Sequence, residues 1–330
     1  MTISSAGRKS SGWRRLGKVL LTVAALCLAG YLLHRTFRGY DAREIIDSIK
    51  AISLPRLAGV AGFAFASYLC LTGFDALGVR YAGASLSYWR VALTSMTSLS
   101  IGHSIGFAAL SSGAIRYRFY SRYGLSMEQI AKVILLCAAT VGLGLATGLS
   151  IGLLTQPEIA ERIGGLSSSA ILALAMVAGA IPLAYLALAA TVRGKIRLGS
   201  WHLEMPSFRI ALAQAIIGPL NLACVVGCLY MALSTRSSVQ YLDVLAVYAI
   251  ANGAGLLTHV PGGVGVIEAV VSALLPGADV VGALIVFRVA YFLIPFILGT
   301  AGFAVSELAR RRQRSSHGRS VGNGLLRVRR

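Results

Sequence analysis

The sequence predicts an all-α integral membrane protein of about six crossing helices plus two re-entrant hairpins inserted from opposite faces, an inverted-repeat-like arrangement. Three observations lead there. Of 330 residues, 56% are hydrophobic and only 13% are charged, and several charge-free runs are long enough to cross a bilayer core of about 30 Å. The basic residues that give a formal charge of +19 collect at the two ends and between apolar runs, where membrane topology accounts for them without nucleic acid as a partner. Two long apolar stretches, 91–115 and 244–275, carry small residues or helix breakers near their middles, unlike a plain span.

The chain divides into a basic cytoplasmic N-terminus (1–18), a polytopic membrane domain (19–308) and a basic tail (309–330) that composition predicts to be disordered. Residues 19–33 form the first apolar run, and Arg8, Lys9, Arg14, Arg15 and Lys18 before it fix its start in the cytoplasm. No small-residue cleavage site follows, so it is read as an uncleaved span. Residues 41–50 mix charges with Ile45, Ile46 and Ile49 on one face, the pattern of a segment lying along the interface. The second span is 57–74, with Asp75, Arg80 and Arg90 after it on the cytoplasmic side.

Residues 91–115 are long enough to cross, but crossing would place Arg116, Arg118, Arg122 and Lys132 outside, against the positive-inside rule. A hairpin that enters near Trp89, turns around Gly102 to Gly106 and returns keeps all four inside. Residues 133–155 then lead outward to a loop with Glu158, Glu161 and Arg162, and 169–192 return. Arg193, Lys195, Arg197 and Arg209 mark a cytoplasmic loop before 210–233 go out again. The second hairpin, 244–275, enters from outside, and 280–308 go in, ending at Arg310, Arg311, Arg312 and Arg314, so both termini are cytoplasmic.

The second hairpin turns at T-H-V-P-G-G-V-G-V-I-E-A-V-V (258–271). Pro261 lacks an amide hydrogen and Gly262, Gly263 and Gly265 free the backbone, so the helix breaks there. Broken backbone at membrane depth survives only against protein or a water-filled cavity, which points the turn at an internal site. Glu268 sits beside it, and a carboxylate among apolar residues is a functional candidate by default. Arg288 lies about two to three turns into the last apolar stretch with Tyr291 on nearly the same face; it either neutralises Glu268 or meets substrate. Arg116 and Arg118 alternate with aromatic residues in I-R-Y-R-F-Y, where arginine forks suit phosphate oxygens and tyrosines suit the headgroup level. The substrate-binding candidates are thus Arg116, Arg118, Glu268, Arg288, Tyr291, Gly262 and Gly263. His103 and His259 near the two turns are read as helix-to-helix hydrogen-bonding groups. The five cysteines lie in apolar runs and read as packing residues; Cys224 and Cys228 lack the further ligands of a zinc site. No catalytic triad, paired-carboxylate set or phosphate-cradling loop stands out, and no cofactor is implied.

P-G-G-V-G-V-I-E-A (261–269), S-G-A-I-R-Y-R-F-Y-S-R-Y-G-L-S (112–126) and F-R-V-A-Y-F-L-I-P (287–295) together resemble the membrane half of the lysylphosphatidylglycerol synthetase/flippase family. The resemblance covers most of the chain and stops short of the soluble aminoacyl-transferring domain. It implies movement of an anionic or aminoacylated phospholipid, such as lysyl-phosphatidylglycerol, between leaflets of the bacterial inner membrane, without aminoacyl transfer. It transfers a headgroup role to Arg116, Glu268 and Arg288. The expected partner is membrane phospholipid, phosphatidylglycerol or its aminoacylated form. Two alternatives stay open: transport of another amphiphile such as a polyprenyl-linked sugar, and service as a membrane subunit or scaffold for a separate lipid-modifying enzyme.

Overall fold

A computed structural model describes residues 52–105, 108–192, 195–198, 201–233, 239–258, 266–275 and 280–305, with residues 43, 46–47 and 50 of the preceding segment. The first apolar run (19–33), both charged termini, the Pro-Gly-Gly turn and His259 lie outside the described residues, and so does most of the stretch at 41–50.

Helix α1 spans Leu54–Tyr81, with Pro55 in its first turn, where a missing amide hydrogen costs nothing. It is 28 residues long, about 42 Å, and it corrects the expected end at Phe74. Asp75 and Arg80 belong to the helix, and Asp75 is fully buried. The chain turns at Gly83, whose φ of 69° suits a residue without Cβ, and enters α2 (Tyr88–Ile105). α3 (Ala108–Tyr120) returns along α2. A Cβ on Gly102 would lie 2.8 Å from the Ser112 Cβ, and the Ser111 hydroxyl donates to the Gly102 carbonyl at 3.3 Å. At 13 residues, about 20 Å, α3 is too short to cross a bilayer core unaided. A short 3₁₀ turn (Ser121–Tyr123) ends at Gly124, φ 90°. The Gln129 side chain then donates to the Ala82 carbonyl at 3.2 Å, so the way into the hairpin and the way out of it meet at one end of the molecule.

α4 (Met127–Thr155) starts with a capping box: the Gln129 amide donates to the Ser126 hydroxyl at 3.2 Å, and the Ser126 amide donates to the Gln129 side chain at 2.9 Å. The acidic stretch expected as a loop is a helix, α5 (Pro157–Gly164), with proline at its first turn. α6 (Ser168–Thr191) follows, and only 17% of its apolar window is buried. Between α6 and α7 (Phe208–Ala232) the chain forms an antiparallel hairpin of β1 (Lys195–Leu198) and β2 (Trp201–Glu204), which the sequence reading took for plain loop. The Tyr81 hydroxyl donates to the Glu204 carbonyl, tying this hairpin to the end of α1. α8 (Tyr241–Thr258) packs on α9 (Val266–Leu274), as α2 packs on α3. α10 (Val280–Arg288) passes through a π-helical turn (Val289–Leu293) and continues as helix to Val305.

Among the described residues, five helices are long and apolar enough to cross a membrane: α1, α4, α6, α7 and the combined segment Gly282–Val305. The fold is all-α and multi-pass, with the small β hairpin as its departure among the described residues. The core is the meeting of α1, α4, α7, α8 and α10, and glycines bring its backbones together. A Cβ on Gly144 of α4 would stand 2.5 Å from the Gly218 carbonyl of α7, and a Cβ on Gly218 would stand 2.5 Å from the Thr140 carbonyl. Without a water-driven hydrophobic effect between helices in lipid, such close approach is where van der Waals packing gains most.

Candidate functional site

An aspartate inside an apolar helix must be neutralised, and α3 supplies the means. Arg116, at 3% exposure, donates from Nε to Asp75 Oδ1 at 2.9 Å and from Nη2 to Oδ2 at 2.8 Å. This fork-to-fork pairing is the strongest geometry open to the two groups. The Tyr120 hydroxyl donates to Oδ1 at 2.8 Å, and Arg116 Nη1 donates to the Ser112 hydroxyl at 3.1 Å. The cluster sums to zero charge with its acceptors occupied, which makes it tolerable at this depth; removing either charge would strand the other. The spacing in α3 explains the set: Ser112, Arg116 and Tyr120 recur every fourth residue and share one face.

A second polar seam runs about 10 Å along α1 from the first, where α1, α7 and α10 meet. The Asn221 amide donates to the Ser67 carbonyl at 3.0 Å and to its hydroxyl at 2.7 Å. The Ser67 and Tyr291 hydroxyls lie 2.9 Å apart, and the Tyr68 hydroxyl donates to the Tyr291 carbonyl at 3.3 Å. Tyr291 belongs to the π-helical turn, a local widening often found at functional sites. Its ring stacks on Phe287 with centroids 5.5 Å apart and meets Phe292 and Tyr68 at 5.4 and 5.6 Å. Arg288, at 4% exposure, places its guanidinium 5.6 Å from the Phe292 ring centre. Across the seam Tyr248 stands edge-on to Phe287, and Asn252 donates to the Tyr248 hydroxyl at 3.3 Å.

The structure therefore separates the predicted residues. Arg116 turns to Asp75 on α1. Arg118, two positions on, turns to the end of α10 and lies 5.2 Å over the Phe303 ring. Arg288 and Tyr291 share the aromatic seam. Glu268 has its backbone in α9, but its side chain, with Gly262 and Gly263, lies outside the described residues. His103 lies in α2 with its side chain likewise outside them. Sequence reasoning missed Asp75 as a buried group, and the signal available was its position one residue after an apolar run with no turn residue between. It also missed Ser67, Tyr68 and Gln214. Gln214 is fully buried and joins three helices, donating to Thr140 Oγ1 at 2.7 Å and accepting from the Tyr185 hydroxyl at 2.7 Å.

Cys70, Cys137, Cys224 and Cys228 are free and buried, as their apolar surroundings lead one to expect. Among the described residues, no three His, Cys, Asp or Glu side chains are grouped to hold a metal ion. What the arrangement offers is non-covalent: arginine forks and aromatic faces in a dry interior, suited to a phosphate or carboxylate and to the cation or ring that accompanies it.

A family model described as the lysylphosphatidylglycerol synthase TM region matches residues 17–299. A protein of Synechocystis sp., slr0712, is 29% identical over 314 residues, covering 92% of this chain and 97% of that protein. The inner membrane protein YbhN of Escherichia coli is 28% identical over 319 residues, covering 92% of this chain and 96% of its own length.

Proposed function

Because the chain belongs to the family of the lysylphosphatidylglycerol synthase transmembrane region, a family of membrane-embedded lipid-handling proteins, we propose that it moves a phospholipid between the leaflets of a bacterial inner membrane. The part of the family it matches is the transmembrane region, not the aminoacyltransferase, so translocation rather than bond chemistry is the reading that follows. The substrate is an anionic or aminoacylated phospholipid such as lysyl-phosphatidylglycerol.

The observation that carries this reading is the buried Asp75–Arg116 fork with Tyr120 and Ser112 around it. A guanidinium fork donates to the two oxygens of a phosphodiester as readily as to those of a carboxylate. Asp75 then acts as a placeholder that keeps Arg116 neutralised when no headgroup is present, and the headgroup phosphate takes its place during passage while a proton or the headgroup ammonium neutralises Asp75. Arg288, Tyr291 and the Pro-Gly-Gly turn with Gly262, Gly263 and Glu268 form the matching station of the second hairpin. A carboxylate there suits the ammonium of an aminoacyl headgroup. Arg118 of α3, over Phe303 near the end of α10, stands where a headgroup would enter from the basic side. The two hairpins enter from opposite faces, and the acyl tails stay in the bilayer while the headgroup crosses the interior.

The test is transbilayer movement of labelled phosphatidylglycerol and lysyl-phosphatidylglycerol in vesicles holding the purified chain. Glu268→Gln or Arg288→Gln should reduce the rate at least about tenfold, the effect of losing about 1.4 kcal/mol or more of headgroup binding. Failure of the folded, unsubstituted chain to move either lipid would overturn the reading. Movement of a polyprenyl-linked sugar instead would replace the substrate, and copurification with a lipid-modifying enzyme without any movement would favour the subunit role.

A further inference from the structure

Segments 54–155 and 208–305 share one order of elements: a long helix, a pair of shorter packed helices, and a long helix. Their boundaries correspond, since α2 starts at Tyr88 and α8 at Tyr241, while α3 ends at Tyr120 and α9 at Leu274. Where α1 and α7 cross, the contacts come in matched sets. Asn221 bonds Ser67, its partner 154 positions earlier. Cys70 and Cys224 stand in the same relation, and their thiols are close enough to influence each other across the crossing. A Cβ on Gly73 would meet Ile217 Cδ1 at 2.5 Å, and a Cβ on Gly227 would meet Phe63 Cδ1 at 2.7 Å. Gly73 corresponds to Gly227 and Phe63 to Ile217 at that same separation, so each contact is the image of the other. A two-fold axis produces such reciprocity, and a contact between a residue and its own counterpart lies on the axis.

We infer that the chain is two inverted halves related by a pseudo-two-fold axis through the Ser67–Asn221 and Cys70–Cys224 contacts, that this crossing is the fixed pivot between them, and that the structure is the state in which the first hairpin is closed on α10. The consequence for lipid movement rests on the translocation reading above. Contacts on the axis map onto themselves when the halves exchange conformations, so they persist. Contacts off the axis map onto different contacts, so where only one of such a pair is made, it is closed in one state and open in the other. Phe119 of α3 packs edge-on to Phe303 at 5.9 Å, under the Arg118 guanidinium, and the two rings are 1% and 8% exposed. The counterparts of Arg118 and Phe119 in α9 are Ser272 and Ala273, and both are exposed. Among the described residues, the closure of α3 on α10 has no equal in α9.

The experiment compares two locks in chains carrying Cys27→Ser, Cys137→Ser and Cys228→Ser. In the first, copper phenanthroline takes two electrons as the Cys70 and Cys224 thiols lose their protons and join. In the second, which also carries Cys70→Ser and Cys224→Ser, Phe119→Cys and Phe303→Cys are joined by a short bis-thiosulfonate. Leu93→Cys with Gly302→Cys replaces that pair if the aromatic variant does not fold. Crosslinking is read on gels after denaturation and cleavage at a site inserted between β1 and β2. The first lock should form fully and leave phosphatidylglycerol movement within about twofold, and the second should lower it at least about tenfold and release it on reduction. Movement stopped by the first lock, or spared by the second, overturns the pivot. If the unlocked chain moves no phosphatidylglycerol, the lipid reading fails by itself, and thiol labelling decides the pivot. A single Phe119→Cys thiol, buried in the closed state, must still react with a small methanethiosulfonate as the end opens, and its complete protection over hours overturns the exchange.

Discussion

Asp75 and Arg116 show at the residue scale how a charge becomes acceptable in an apolar interior. Neither is stable there alone. Asp75→Asn or Arg116→Gln should each cost about 3–5 kcal/mol, because each leaves its former partner buried and uncompensated. Replacing both with apolar residues, Asp75→Leu with Arg116→Met, should recover most of that loss, since a buried ion pair can be matched by packing. Thermal unfolding in detergent checks this, and equal melting of all three variants would mean that the pair is not sealed from water. If Arg116 also meets headgroups, the apolar double variant should melt like the unsubstituted chain yet move no lipid. Tyr120→Phe should cost about 1.5–3 kcal/mol, the range of a hydrogen bond to a charged group. Arg116 stood out in the sequence because it lies beside small residues and tyrosines. Asp75 did not, since a carboxylate just after Phe74 reads as the end of a span until its distant partner is known. Ser67, Tyr68, Asn221 and Tyr291 are single polar residues among many, and nothing in their spacing says that they meet.

At the scale of elements, hydropathy located the long helices well, because about twenty apolar residues in a row have few other uses. The first hairpin was legible from charge. Four basic residues after 115 argued for a helix pair rather than one span, and α2 and α3 do pack together with their open ends joined through Gln129 and Ala82. Hairpin β1–β2 was missed although Lys195, Ile196, Arg197 and Leu198 alternate as a strand does; four residues of alternation are a weak signal beside the strong charge reading. The π-helical turn at Tyr291 was illegible, since the groups that meet it, Ser67 and Tyr68, lie 224 and 223 positions away. Helix contacts give a sharp prediction. Gly144→Ala or Gly218→Ala drives a methyl into a backbone carbonyl and should cost about 1–3 kcal/mol or more, while Gly62→Ala, with nothing within 4 Å, should leave melting unchanged. Equal effects at the three positions would show that α4 and α7 are not in backbone contact.

Charge dominates the scale of the whole molecule. The net +19 is spread so that one end gathers Arg80, Arg90, Arg118, Arg122 and Arg209, while the loop around α5 carries Glu158 and Glu161. Positive residues stay cytoplasmic, so cysteines introduced at the two ends should differ in reach. Ser169→Cys, exposed at the start of α6, should react with an impermeant maleimide in intact cells, and Ser207→Cys, exposed before α7, only after permeabilisation. The opposite pattern would turn the molecule over.

Helix α6 differs from the other long helices in being so little buried, and on the inverted arrangement its place in the chain gives it a use that packing does not. A unit of crossing, hairpin and crossing brings the polypeptide back to the side from which it set out. A second such unit joined directly to the first would insert the same way up. One additional crossing changes the parity, and α6 lies between the two units where that change is needed. The side chains on its exposed face can then vary so long as they remain apolar, whereas its deletion would send every residue after it to the wrong side of the membrane.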